Sequence, residues 1–468
     1  MPSAHLLRTL MPDMPPHKRT ERDVFPDAAA ELRVRSAGLL KRRAAGLASP
    51  SLTSSYAGSI DGIMFAFPRY ATRAAFGAGY KSVIAALRHG TKFVVVHAAS
   101  LRPEIDAWFT AAGHPAGNVT FVELPDYVNF TDWAEDGYVS LADTASGVSF
   151  LMEPWEFPRS GDTLIAESVQ GVTGIKTGQA PLIFQGGNCL IGDDFWLLGK
   201  DYFADSIRLA GEPGGPVSVP QGTAPDAFVA QLFSEFVDAD RRLIVVGTNN
   251  PIPLRSFYGT REGSRYFLDI ASDGAGTFQP IFHIDMLITL VGKGAGAFEV
   301  FVGSPALADS LLARTSPFAL GDVYDTIAEQ LRREGFTVHR NPLVHQPTEG
   351  RRFTIDELRD LAQQPGNADL GVAVDELRAA GASTAVTARS WHHITWNNCL
   401  VENSSTMGRH VYMPTYGGGR TDLKAIDDEM TRLWTNLDFT VHPLADFNAF
   451  AERQGVVHCI KKYLRRGQ

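Results

Sequence analysis

Leu182-Ile183-Phe184-Gln185-Gly186-Gly187-Asn188-Cys189-Leu190-Ile191 runs into Gly192-Asp193-Asp194 and returns as Phe195-Trp196-Leu197-Leu198-Gly199. Two apolar runs on either side of an Asp-rich turn predict a β-hairpin. Beyond it, residues 225–237 carry Phe228, Leu232, Phe233 and Phe236 at helical spacing, and Arg242-Leu243-Ile244-Val245-Val246-Gly247 reads as a buried strand. Hairpin, helix and strand in that order form the unit from which the rest of the chain can be read.

The unit recurs. Phe282-His283-Ile284-Asp285-Met286-Leu287-Ile288-Thr289-Leu290 leads through a Gly-rich turn to Phe298-Glu299-Val300-Phe301-Val302, with a helix expected over 323–334 and a strand at Phe336-Thr337-Val338. A third copy has Ile394-Thr395-Trp396-Asn397-Asn398-Cys399-Leu400-Val401, a return at His410-Val411-Tyr412-Met413-Pro414, a helix over 423–437 and a strand at Phe439-Thr440-Val441. Weaker versions precede them: a helix over 79–87 into a strand over 93–97, and strands over 119–124, 138–141 and 148–153. Such units, about 100 residues apart, cannot each bury an apolar face alone, so they should pack around a common axis as one repeat-built α/β domain. No Gly-x-Gly-x-x-Gly or Gly-x-x-x-x-Gly-Lys follows a strand, which argues against a nucleotide-binding fold. Residues 1–55, rich in Pro, Arg, Ala and Ser with one amphipathic stretch near 28–40, are expected to form a partly ordered N-terminal extension, leaving 56–468 as the main domain.

Composition narrows the function classes. The 468 residues are 44% hydrophobic and 20% charged, and 43 Lys and Arg against 52 Asp and Glu give a net charge of −9. An acidic chain lacks the clustered cations that grip phosphate backbones, so nucleic acid is excluded as a partner. No run of 18 apolar residues occurs and residues 1–21 lack a signal-peptide layout, so the expectation is a cytoplasmic protein with no membrane partner. The cysteines, Cys189, Cys399 and Cys459, fit neither a disulfide framework nor a metal-ligand spacing, and no cofactor or metal is called for. The sequons at Asn118, Asn129 and Asn403 matter only in an exported chain.

Four short segments carry chemistry: Trp133-Ala134-Glu135-Asp136-Gly137-Tyr138, Gln185-Gly186-Gly187-Asn188, His283-Ile284-Asp285-Met286 and Gly455-Val456-Val457-His458-Cys459. Singly each is weak, since a His or Cys in an apolar run is usually a core residue. On a strand, however, His283 and Asp285 would share one face while Phe282, Ile284 and Met286 take the other. Burying an imidazole and a carboxylate among apolar neighbours is costly unless something charged pairs with them. A planar cation would do so.

Together and in this order, the four segments resemble those of the guanidino-group-modifying (pentein) superfamily, most closely its agmatine deiminase and bacterial peptidylarginine deiminase branch. The resemblance spans residues 128–460. It implies a five-bladed α/β propeller of ββαβ repeats, with 56–468 as the pentein catalytic domain. It further implies Cys459 as nucleophile, His283 as general acid and base, and Asp285 with Asp136 as the carboxylates that hold a guanidinium. Trp133, Gln185, Gly187 and Asn188 would bind substrate. The residue types suit that chemistry: a guanidinium presents its donors in a fixed plane, so two carboxylates can hold it with its carbon facing a thiolate. The implied activity is a deiminase turning a guanidino group of a small amine or arginine derivative into a ureido group and ammonia.

The chain departs from the family pattern in places. Gln185 stands where many relatives carry Glu, which bears on substrate choice. Lys461-Lys462 and Arg465-Arg466-Gly467 make the tail basic, resembling glycine amidinotransferases, so transfer of an amidino group to an amine acceptor is the alternative activity; a binding protein on the same fold is another. Lys461 and Lys462 would either meet a substrate carboxylate or be solvated. His392-His393 and Asn397-Asn398 lack a third ligand spaced for a metal. Asn398, Cys189 and Cys399 read as scaffold, and His458 as orienting the backbone. The sequence leaves room for a homo-oligomer.

Overall fold

The computed structural model describes residues 4–12, 47–271, 277–294, 296–317, 320–382 and 385–467. The fold is mixed α/β with five sheets, and among the described residues none of the sheets closes on itself. In each sheet an antiparallel pair is followed by a helix and a strand parallel to the second member of the pair.

The quoted stretch is one such unit. Cys189–Ile191 and Phe195–Gly199 pair antiparallel across the turn at 192–194. Two helices, Lys200–Gly211 and Pro225–Phe236, carry the chain to Arg242–Val246, which lies parallel to Phe195–Gly199. The same order appears in Ile288–Lys293 with Phe298–Ser304, helix Gly321–Arg333 and strand Thr337–Phe353. It appears again in Leu400–Ser404 with Gly408–Thr415, helix Lys424–Thr435 and strand Thr440–Asp446. A fourth copy consists of Val139–Asp143, Val148–Glu153, helix Thr163–Thr173 and strand Lys176–Gln179. The fifth unit draws on both ends of the chain: Lys461–Arg466 pairs antiparallel with Ile60–Phe67, which is followed by helix Ala74–Ala86 and parallel strands Lys92–Ala98 and Val119–Leu124. Arg466 fastens this closure, its guanidinium donating to the carbonyls of Ser54 (3.0 Å) and Val401 (3.0 Å).

Large side chains join neighbouring sheets. The Phe195 ring packs edge-on against Phe298 and Phe336, both with centroids 4.8 Å away. It belongs to the main core with Ile284, Met286, Ile288, Trp396, Val456 and Ile460. Truncating such a ring to Ala costs about 3–5 kcal/mol, so Phe195 alone contributes a large part of a domain's net stability. A separate apolar cluster lies where Thr337–Phe353 runs on, beyond the repeat, to pair with Val386–Thr395, whose other edge takes Arg265–Ile270 of the hairpin Phe257–Glu262/Arg265–Ile270. There Leu6 and Leu10 of the helix Ala4–Leu10 pack with Phe257, Leu268, Leu370 and Leu377.

Several expectations need correction. His283-Ile284-Asp285 is not a strand: Ile284–Met286 forms a single 3-10 turn and the strand starts at Ile288. Gln185-Gly186-Gly187-Asn188 likewise precedes its strand, with Gly186–Asn188 in a 3-10 turn. Ile394 and Thr395 end the strand Val386–Thr395, and the third hairpin begins only at Leu400. In each case an apolar run was long enough to hide a turn at its mouth. Of residues 1–55, the stretch 13–46, including the amphipathic part, lies outside the described residues, while Pro50–Leu52 pairs with Val139–Asp143.

Candidate active site

The four segments meet, each of them lying directly before the first strand of its unit. His283 leads into the turn Ile284–Met286, which Asn188 holds by accepting from the Ile284 amide at 2.9 Å. Asn188 is held in turn by Gln279, the two amides exchanging bonds of 3.1 and 3.2 Å. A Cβ on Gly187 would lie 2.5 Å from His283 Nδ1 and 3.2 Å from Asp285 Oδ2, so only glycine lets this backbone pass the two side chains.

His283 and Asp285 thus share a side, though through the turn and not through strand alternation. His283 Nε2 donates to Gln185 Oε1 at 2.7 Å, which puts the ring's other nitrogen toward Asp136, with Nδ1 3.7 Å from Asp136 Oδ1. Asp136 Oδ2 accepts from Arg159 Nη2 at 2.8 Å, and Arg159 Nε donates to Asp162 at 2.6 Å. Asp136, Arg159 and His283 have no exposed surface at all.

Cys459 sits in a turn directly before Lys461–Arg466. Asn398 clasps it from both sides: Oδ1 accepts from the Cys459 amide at 3.1 Å and Nδ2 lies 3.2 Å from Sγ. Asp285 Oδ2 is 3.8 Å from the same sulfur and accepts from His458 Nδ1 at 2.8 Å. Because 457–460 is a turn, alternation does not send His458 away from Cys459; both side chains reach Asp285. Trp133 lies under this turn, its ring so close to the backbone that a Cβ on Gly455 would meet it at 2.4 Å.

Lys461 and Lys462 are not solvated. Both are buried and bound to Glu135, at 2.7 and 2.9 Å. Glu135 is next to Asp136 and its amide donates to the Cys459 carbonyl at 3.1 Å, so this ion cluster ties the Asp136 segment to the Cys459 turn. Burial, followed by Asp162, Glu135, Glu153 and Asp136, holds the Tyr138 hydroxyl well above the usual phenol range, a sign of how acidic this interior is. Cys189 and Cys399 are buried with thiols pushed up to about 12 by desolvation. Among the described residues no group of three His, Cys, Asp or Glu side chains is placed to hold a metal ion, and His392-His393 belongs to the long strand Val386–Thr395.

Three participants escaped the sequence reading. Arg159 stands in a Pro- and Gly-bounded loop with no periodicity to mark it, Asn398 reads as scaffold from an apolar run, and His458 is hidden by the strand assumption. The Asp three residues after Arg159 is the one local hint.

No protein-family model and no curated protein matches the chain. Solved structures do. The agmatine deiminase of Enterococcus faecalis, described as catalysing its reaction, superposes with a TM-score of 0.52 over 90% of this chain and 98% of its own, at 13% identity. The agmatine deiminase of C. jejuni gives 0.51 over 90% and 96%, at 11% identity. No helix among the described residues is long and apolar enough to cross a membrane. The chain therefore has the fold of the agmatine deiminases.

Proposed function

We propose that the protein is a guanidino-group hydrolase, a deiminase acting on a small guanidino amine or an arginine derivative, and that its five sheets stand as propeller blades around the site. The observation that carries this is the convergence of Cys459, His283, Asp285 and Asp136, from three separate segments, on one buried acidic spot. Glu135, Asp136, Glu153, Asp162 and Asp285 are five buried carboxylates, against three buried cations, Arg159, Lys461 and Lys462. A cationic substrate supplies the missing positive charge, and a neutral one would leave the excess in place.

In this reading Asp285 and Asp136 hold the guanidinium plane with its carbon facing Cys459. The bound cation favours the thiolate, whose proton passes to His283, and the thiolate attacks the carbon to give a tetrahedral adduct. His283 protonates the departing ammonia, and the resulting thiouronium is hydrolysed by a water that His283 deprotonates, which frees the ureido product and Cys459. Since all four side chains are buried, substrate enters only when covering segments move aside. The motive for an amidinotransferase weakens, because Lys461 and Lys462 are bound to Glu135.

The test is release of ammonia and ureido product from agmatine, arginine, arginine-capped peptides, guanidinobutyrate and guanidinoacetate, with Cys459→Ala as the blank. Equal amounts of the two products from one substrate support a deiminase. Turnover only after adding glycine, ornithine or lysine as acceptor, without ammonia, would replace it by amidino transfer, and silence throughout would leave a binding protein.

A further inference from the structure

We propose that His458 is the positioning residue for Asp285, holding through its Nδ1 hydrogen the carboxylate that lies beside both the nucleophile and the guanidinium. This rests on the guanidino-hydrolase reading and adds to it a side chain that touches no reacting atom.

The geometry is local and specific. Asp285 Oδ2 is a shared corner, 2.8 Å from His458 Nδ1 and 3.8 Å from Cys459 Sγ. Asp285 belongs to a single 3-10 turn, a short element that by itself fixes a side chain poorly. His458 is adjacent to Cys459, so any shift of the nucleophile's turn is passed to the carboxylate directly. The turn is itself anchored, because the His458 amide donates to the Asn398 carbonyl at 3.2 Å and Asn398 clasps Cys459. The His458 ring is confined by Tyr463, at a centroid distance of 5.9 Å, and lines a small cavity with Asp285, Thr289, Asn397 and Cys399.

Two consequences follow for the chemistry. Nδ1–H on Oδ2 directs where the Asp285 carboxylate points, and a misplacement of about 1 Å in a reacting assembly costs on the order of 100-fold in rate. The same bond draws the carboxylate's charge away from Sγ. Without it, an unshielded negative charge beside the sulfur opposes thiolate formation.

His458→Asn and His458→Gln separate these effects from simple loss of fold, since both place an amide in the same pocket. Only Asn sets its nitrogen near the position of Nδ1; Gln reaches the far side of the ring. The expected result is that His458→Asn keeps kcat/KM within about fivefold, while His458→Gln lowers it about 100-fold through a higher KM and a lower kcat together. A fold defect would instead reduce the active fraction, lowering kcat with KM unchanged. Iodoacetamide labelling of Cys459 at pH 7.5, located by peptide mass, should be several-fold slower in His458→Gln and near the parent rate in His458→Asn. Equal behaviour of the two variants, whether both parent-like or both impaired, would overturn the proposal. If the parent turns over no guanidine yet the labelling contrast holds, the hydrolase reading fails and the Asp285–His458 assignment stands.

Discussion

Gln185 Oε1 accepts a 2.7 Å hydrogen bond from His283 Nε2, so the imidazole of the candidate acid and base is oriented by a neutral amide. A neutral partner fixes the tautomer without raising the basicity of the ring, as a carboxylate would. Gln185→Glu should therefore move the His283 limb of the kcat/KM profile upward by about one pH unit. A pH–rate profile with agmatine or an arginine derivative checks this, and an unmoved limb would show that Gln185 does not govern His283.

Arg159 is the counter-ion for two buried carboxylates, Asp136 and Asp162. Arg159→Leu leaves both without it, and breaking a buried pair in this way costs about 3–5 kcal/mol. Urea unfolding should show that loss. A change below about 1 kcal/mol would mean that the carboxylates are compensated elsewhere.

Asn398 Nδ2 lies 3.2 Å from Cys459 Sγ. Asn398→Asp keeps the size and replaces that donor with a negative charge beside the sulfur. The pH midpoint of Cys459 alkylation should rise by about one unit. Cys189 and Cys399, with thiols near 12, should stay unlabelled at pH 7.5, which makes the measurement specific. An unchanged midpoint would place the sulfur out of reach of residue 398 in solution.

Lys461 is wholly buried and its ammonium is pushed down to about 8, with desolvation the largest cause. A lysine whose folded pKa lies below the unfolded value binds fewer protons in the native state, so stability should rise as pH climbs from about 8 to 10.5. Lys461→Met removes this penalty and leaves Glu135 paired with Lys462, 2.9 Å away. The variant should be more stable than the parent at pH 7, by up to about 3 kcal/mol, and the gap should close by about pH 10. Chemical denaturation at several pH values measures the gap, and a gap that grows with pH would refute the account.

The repeat order was legible in the sequence because each unit alternates apolar runs of different period, and the strand Phe195–Gly199 with the helix Pro225–Phe236 and its parallel partner follows that reading closely, while the helix Lys200–Gly211 stands where a loop was expected. What escaped were the turns that precede the first strands of the units. Gln185 to Asn188 and His283 to Met286 are flanked on both sides by apolar residues, Ile183-Phe184 and Ile281-Phe282 before and Cys189-Leu190-Ile191 and Leu287-Ile288 after, so each reads as part of one long strand, and 3-10 turns carry little signal of their own. Arg159 and the Glu135–Lys461–Lys462 cluster escaped for another reason. Their contacts join residues more than 20 and more than 300 positions apart, which no local pattern encodes.

The strand Lys461–Arg466 pairs with Ile60–Phe67, roughly 400 residues earlier, and the turn bearing Cys459 immediately precedes it. During synthesis every other unit can form while the first remains short of its antiparallel partner. The turn bearing Cys459 cannot be seated until Lys461–Arg466 has paired with Ile60–Phe67. The pairing that completes this sheet therefore also brings the Cys459 turn to Asp285 and Asn398, so one step closes the sheet and assembles the site together.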